Sequence, residues 1–304
     1  MPTRRRQPAL DLPELLQSWL RHLAAEHKSP ATVELYDRGV RAYLTWCGLD
    51  ASKPPVLDRA TVAAFTADLL AQGREPATAR AYQLAVRLFA SWLVIEGELG
   101  ADPLVGLKPP KLDAKVVPVL SDDQLRALLA ACVGKSFRDR RDEALVRLMA
   151  ETGIRAGEAV ALDLADVDLD AGMATVRRGK GGKGRRVAFG PQTSRAIDRY
   201  LRLRRGHRLA GTGRLWLADN GRGFGYDGLR ATLVRRAELA GIKGFHPHVL
   251  RHTAAHRWLA AGGSEGGLMA TAGWANRAML DRYAAATRAE RAAAEARGLN
   301  LGDL

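Results

Sequence analysis

In the stretch HPHVLRHTAAHRW (246–258), His246, His248, Arg251 and His252 crowd the start of a helical pattern. His248 and Arg251 are three residues apart, so a helix beginning near Pro247 sets imidazole and guanidinium on one face. A guanidinium presents a planar fork to anionic oxygens, and the free N–H groups of a helix start favour the same charge. The cluster reads as one wall of a phosphate-binding site. His248 and His252 also stand four apart, the spacing of paired metal ligands on a helix, but Arg251 lies between them and a cation there repels a metal. No metal is expected, and His252 and His256 are expected to be half-buried helix residues with ordinary hydrogen bonds.

Four stretches hold the chemistry together: ETGIRAGEAVAL (151–162), RRGKGGKGRRV (177–187), HPHVLRHT (246–253) and GWANRAMLDRY (273–283). The elements that position them are legible in part. Ser121 caps a helix over 121–132 with acids in its first turn, a second helix over 141–153 ends at Gly153, and MATVRRG and RRVAFG flank the Gly-rich turn as a β-hairpin. The segment GGSEGGLMATAGW (262–274) is rich in glycine, each costing about 1 kcal/mol in a helix interior, and is expected to be loose until a partner or a neighbour orders it.

Further upstream the pattern PATxxxYxxxVRxxxxW occurs twice, at 30–46 and 76–92. Each copy follows a cap position, Ser29 or Glu75, and carries apolar residues at helical spacing: Tyr36, Val40, Tyr43 and Trp46, then Tyr82, Val86, Phe89 and Trp92. Both stripes are expected to face one shared core, with a further helix at 58–73 between them. The Pro- and Lys-bearing segment 101–120 has the composition of an inter-domain linker. The chain is expected to be mainly α with a small antiparallel β-sheet, in two domains, 1–112 and 113–304.

Charge narrows the partner. Lys and Arg number 47 against 33 Asp and Glu, a net +14, and the excess lies almost wholly in 112–304, with 33 basic and 21 acidic residues. Arg-rich runs such as RAIDRYLRLRRGHR (195–208) imply a field that attracts polyanions, nucleic acid foremost. Cys47 and Cys132 are the only cysteines, which suggests neither a disulfide framework nor a zinc site. No apolar run approaches a membrane span, and no secretory h-region follows the basic N-terminus. A cytoplasmic protein without membrane association is expected.

The four C-terminal stretches, in this order and at this spacing, resemble the tyrosine recombinase (phage integrase) family, in its Xer-like, core-type form. The resemblance implies a helical, SAM-like core-binding domain over 1–112 and a catalytic DNA breaking-rejoining domain over 113–304. It places the first catalytic arginine at Arg155, the lysine at Lys180, the histidine and second arginine at His248 and Arg251, and the nucleophile at Tyr283. Trp274 falls where many members have His and some have Trp, and Glu158 falls at a supporting acidic position. Gly157 stands where Ser is usual.

The residue types suit that role. A phosphodiester gathers negative charge in the transition state and calls for preorganised positive donors. A tyrosine phenol, with a pKa near 10, forms an ester that a DNA hydroxyl can later displace, so neither ATP nor any cofactor is needed. Lys180 would protonate the departing oxygen, the choice of Lys180 over Lys183 resting on the family. Trp274 can donate through its indole N–H but cannot shuttle protons, or can simply pack beneath Tyr283. Lys183, Arg185 and Arg186, with Arg178, Lys108 and Lys111, are expected to contact the DNA backbone.

The implied activity is site-specific recombination of double-stranded DNA through a 3′-phosphotyrosyl intermediate and a Holliday junction, by a homotetramer on DNA that is monomeric or dimeric when free. The tail at 287–304 would dock on the next protomer. Accessory DNA-bending or directionality factors would be further partners, and, with only a few residues before the first helical pattern, a simple core-type site without a separate arm-binding domain is expected. The rival readings are a type IB topoisomerase-like enzyme, a non-catalytic DNA-binding protein descended from an integrase, and a metal-dependent nuclease.

Overall fold

The computed structural model describes residues 10–48, 56–112, 117–177, 184–219, 221, 223–274, 276, 277, 279–281, 283, 292 and 297. The chain divides into two compact units, Met1–Lys115 and Val116–Leu304, and the division falls inside the segment whose composition marks a linker. Two of its leucines are anchored in those units. Leu104 is buried with Tyr43 and Val86 in the first unit, while Leu120 joins the core of the second and donates its N–H to Thr253 Oγ1 at 2.9 Å.

The first unit is four helices: α1 (Leu12–Ala25), α2 (Pro30–Gly48), α3 (Arg59–Ala71) and α4 (Pro76–Ile95). Ser29 caps α2, accepting from the Thr32 N–H at 3.2 Å, and Asp58 caps α3, accepting from Thr61 at 2.8 Å. The repeated pattern supplies the central pair, α2 and α4. They approach closely because Gly39 has no side chain: a Cβ there would stand 2.8 Å from the Cβ of Ala85. The two stripes do not share a single core. Val40 and Phe89 pack with Trp19 of α1, whereas Tyr43 and Val86 pack with Phe65 of α3. The α2–α4 pair is therefore a partition, with apolar residues buried on both of its sides.

In the second unit, α5 (Asp122–Ala130) starts at the Ser121 cap as expected. α6 (Phe137–Thr152) begins earlier than its apolar pattern, at Ser136, because Arg141 and Asp142 are interior residues of a helix that runs through the core. Arg141 donates to Asp142 Oδ1 and to the Leu217 carbonyl and lies over the Phe224 ring at 4.4 Å. Arg236 holds the other Asp142 oxygen at 2.8 Å. Then come α7 (Ala156–Val160), β1 (Val167–Asp168), β2 (Met173–Val176) and β3 (Arg185–Ala188), an antiparallel sheet in the order β1-β2-β3 with Ala174 opposite Val187.

α8 (Pro191–Arg204), α9 (Tyr226–Leu239), α10 (His248–Ala260) and α11 (Glu265–Ala272) complete the described elements. The Arg-rich α8 corrects the charge reading. Arg204 is 3% exposed and donates to the carbonyls of Ala210, Thr212, Arg214 and Leu215, and Arg199 pairs with Glu143 at 2.9 Å. Part of the basic excess is spent on the fold itself. The glycine-rich segment, expected to be loose, forms α11: Ser264 caps it, and the indole of Trp258 takes the space side chains would need. A Cβ on Gly263 would meet that indole at 2.3 Å, and its Nε1 donates to the Ser264 carbonyl at 3.0 Å.

Candidate active site

The C-terminus of α11 organises the site. The last carbonyls of a helix lack intrahelical partners and carry partial negative charge, and here three consecutive ones each receive a guanidinium. Thr271 O accepts from Arg185 Nε at 2.7 Å, Ala272 O from Arg251 Nη2 at 2.7 Å, and Gly273 O lies 3.5 Å from Arg155 Nη2. Gly273 has φ 63°, and a Cβ there would press on Arg185 Nη1 at 3.1 Å, so the position requires glycine. Cations from three separate stretches are thus gathered on one helix end.

Arg155 directly precedes α7, after the left-handed Gly153 that closes α6. Its side chain binds Glu158 Oε1 at 2.7 Å, while its backbone N–H binds Oε2 at 3.0 Å. Arg185 grips the same carboxylate from β3, at 3.1 Å and 2.7 Å. Burial alone would raise the Glu158 pKa; the hydrogen bonds from Arg185 and Arg155 outweigh it and bring the carboxyl down to about 2. Glu158 is therefore a fixed anion shared by two guanidiniums. This corrects the reading of Arg185 as a phosphate contact. On a strand, alternate residues face opposite ways: Arg185 and Val187 turn inward, and Arg186 is exposed.

Arg251 is 2% exposed and donates to Gly153 O as well as Ala272 O, both at 2.7 Å. Burial first, then the neighbouring Arg155, lower its pKa to about 10, which leaves it charged at neutral pH. His248 opens α10 and stays exposed. Its pKa is lowered by desolvation first, then by the neighbouring basic side chains Arg251, His246 and Arg155. The expected helix-start anion site is weaker than the sequence implies. The first-turn N–H groups of Val249 and Leu250 already bond the carbonyls of His246 and Pro247, at 2.9 Å and 3.2 Å.

Tyr283 is 4% exposed and stacks on Trp274, with ring centroids 5.1 Å apart and planes 14° apart. The Arg251 guanidinium lies 5.3 Å from the Trp274 centroid, and Arg251 and Tyr283 are within electrostatic reach of each other. Trp274 thus packs against Tyr283, while its buried Nε1 meets no acceptor among the described residues. The sequence reading missed one contact: His252 Nδ1 is hydrogen-bonded to the Tyr283 hydroxyl. The available signal was positional, since His252 follows Arg251 and lies one turn beyond His248, whose ring meets it edge-on at 4.5 Å. Lys180, Arg178 and Lys183 lie outside the described residues, as does nearly all of the 287–304 tail. Lys108 and Lys111 are exposed in the first unit.

The phage integrase family profile matches residues 118–290. Tyrosine recombinase XerC of Azotobacter vinelandii is 32% identical over 252 residues, covering 80% of this chain and 82% of that protein. The solved structure of XerH site-specific recombinase on a palindromic difH substrate shares the fold, with TM-score 0.73 at 20% identity over 91% of this chain and 83% of that one. XerA recombinase is 28% identical, with TM-score 0.50, over 89% of this chain and 93% of that one. The chain belongs to the phage integrase family and is a tyrosine-type site-specific DNA recombinase.

Proposed function

We propose that the chain binds double-stranded DNA through both its helical first unit and its catalytic second unit, cleaves one strand with Tyr283 to leave a 3′-phosphotyrosyl ester, and exchanges strands through a Holliday junction. The observation that carries this reading is the convergence of Arg155, Arg251 and the buried Trp274 N–H beside Tyr283, around one helix end. In this reading the two guanidiniums neutralise the non-bridging oxygens of the scissile phosphate, where charge develops. Each is anchored through part of its fork and keeps other N–H groups for the phosphate. Neutral His248 donates one hydrogen bond, Trp274 donates another, and Lys180 protonates the leaving 5′ oxygen.

Assembly follows from likeness. XerH was solved on DNA in a post-cleavage complex, and lambda integrase, which shares the fold, as a tetramer on a Holliday junction. A homotetramer on two core-type sites, with the 287–304 tail docking between protomers and exposed Lys108, Lys111 and Arg186 on the DNA backbone, is the corresponding arrangement here. Residues 1–112 would serve as the core-binding domain, and the reaction takes place on cytoplasmic DNA, with accessory bending or directionality factors as additional partners.

The test uses a nicked duplex carrying the sequence that the full chain selects from a random duplex pool. Covalent protein–DNA adduct is read after denaturing electrophoresis. Wild-type protein should form it and Tyr283→Phe should not; an adduct that persists in Tyr283→Phe refutes the assignment. Lys180→Ala should cut poorly, yet regain its rate on a substrate with a 5′-bridging sulfur, whose departure needs no proton.

A further inference from the structure

We infer that His252 is a further catalytic residue, whose Nδ1 takes the phenolic proton of Tyr283 as the phosphotyrosyl bond forms and returns it when the DNA is rejoined. The inference rests on Tyr283 being the nucleophile. A phenol titrates near pH 10, so at neutral pH the attacking group carries a proton that must leave as its oxygen bonds to phosphorus. Tyr283 is 4% exposed and roofed by Trp274, which keeps bulk hydroxide away. The proton therefore needs an acceptor inside the protein.

Of the groups described around the site, Glu158 is spent, both oxygens being held by Arg155 and Arg185. Arg251 is a cation. His248 sits at the exposed start of α10, among Arg155, Arg251 and His246, and its ring meets that of His252. His252 Nδ1 is on the hydroxyl itself, its ring tilted 40° to the phenol at a 5.4 Å centroid distance. With the ring proton on Nε2, Nδ1 is the acceptor. In cleavage the Tyr283 oxygen bonds to phosphorus, the bond from phosphorus to the 5′ oxygen breaks, the phenolic proton passes to Nδ1, and the leaving oxygen receives its own proton from Lys180. The imidazolium so formed adds positive charge beside the phosphate. Rejoining reverses each transfer.

The test is the single-turnover rate of adduct formation on the selected nicked duplex. His252→Asn sets an amide where Nδ1 was, keeping a hydrogen-bonding group that cannot take the proton. It should bind the duplex as wild type does and form adduct about 10²-fold more slowly or worse. Added imidazole should restore rate to His252→Ala. Placing the more acidic difluorotyrosine at position 283 should shrink the His252→Asn defect, which a purely structural role would leave unchanged. A wild-type rate in His252→Asn overturns the proposal, as does a defect that neither imidazole nor the fluorinated phenol relieves. If Tyr283→Phe is inactive and His252→Asn is normal, this inference alone fails; if Tyr283→Phe still forms adduct, the nucleophile assignment fails with it.

Discussion

Glu158→Gln replaces the carboxylate that Arg155 and Arg185 share with a neutral group of the same shape. The fall of the Glu158 pKa from 4.5 to about 2 measures how much more strongly the folded state holds the anion than the acid. At 1.36 kcal/mol per tenfold change in proton affinity, that is at most about 3 kcal/mol. The side chain is only 8% exposed, so little is lost to solvent screening. Because the folded-state pKa is depressed, this stability is present above the ordinary carboxyl range and is lost as pH falls from about 4.5 towards about 2. Glutamine has no such titration. Urea unfolding of both proteins across that range should show a gap of about 2–3 kcal/mol at neutral pH, closing as wild-type Glu158 takes its proton. A neutral-pH gap well under about 1 kcal/mol, or one that stays constant down to about pH 2, would refute the view that the carboxylate is a fixed anion between two guanidiniums.

Three further substitutions probe the frame. Gly273→Ala forces a side chain into the left-handed region against Arg185; it should cost about 1–2 kcal/mol in thermal unfolding and slow adduct formation. Trp274→Phe keeps an aromatic ring on Tyr283 but removes the N–H that meets no acceptor among the described residues. Duplex affinity should hold while the cleavage rate in a quenched time course falls about 10²-fold. Gly39→Ala brings a methyl within 2.8 Å of Ala85 Cβ; calorimetry should find the first unit weaker by about 1–3 kcal/mol and the transition of the second unit unmoved.

Local signals in the sequence carried well where the chain obeys local rules. Ser121, Ser29 and Gly153 punctuate helices where their chemistry predicts, and the repeated Pro-Ala-Thr pattern marks the two central helices of the first unit. Partner choice was harder to read. Nothing local distinguishes Arg186, which faces solvent, from Arg185, which turns inward to Glu158, except a strand parity that depends on where β3 starts. Arg141, Arg204 and Arg236 look like surface charge in an arginine-rich chain, yet each is buried: Arg141 meets the remote Leu217 carbonyl, Arg204 the carbonyls of the loop after its own helix, and Arg236 the remote Asp142 carboxylate. His252 was passed over for the same reason. Its significance lies in a contact with Tyr283, 31 positions away, and helical spacing registers only its own element.

The helix end that receives Arg185, Arg251 and Arg155 belongs to an eight-residue helix containing Gly266 and Gly267. A segment so short, with two glycines in its first turn, has little tendency to coil alone. The guanidiniums must hold it as much as it holds them, so ordering this segment and arranging the cations are one cooperative event. Free energies of removing the three arginines singly should then fail to add, since the first loss already loosens the mooring of the other two.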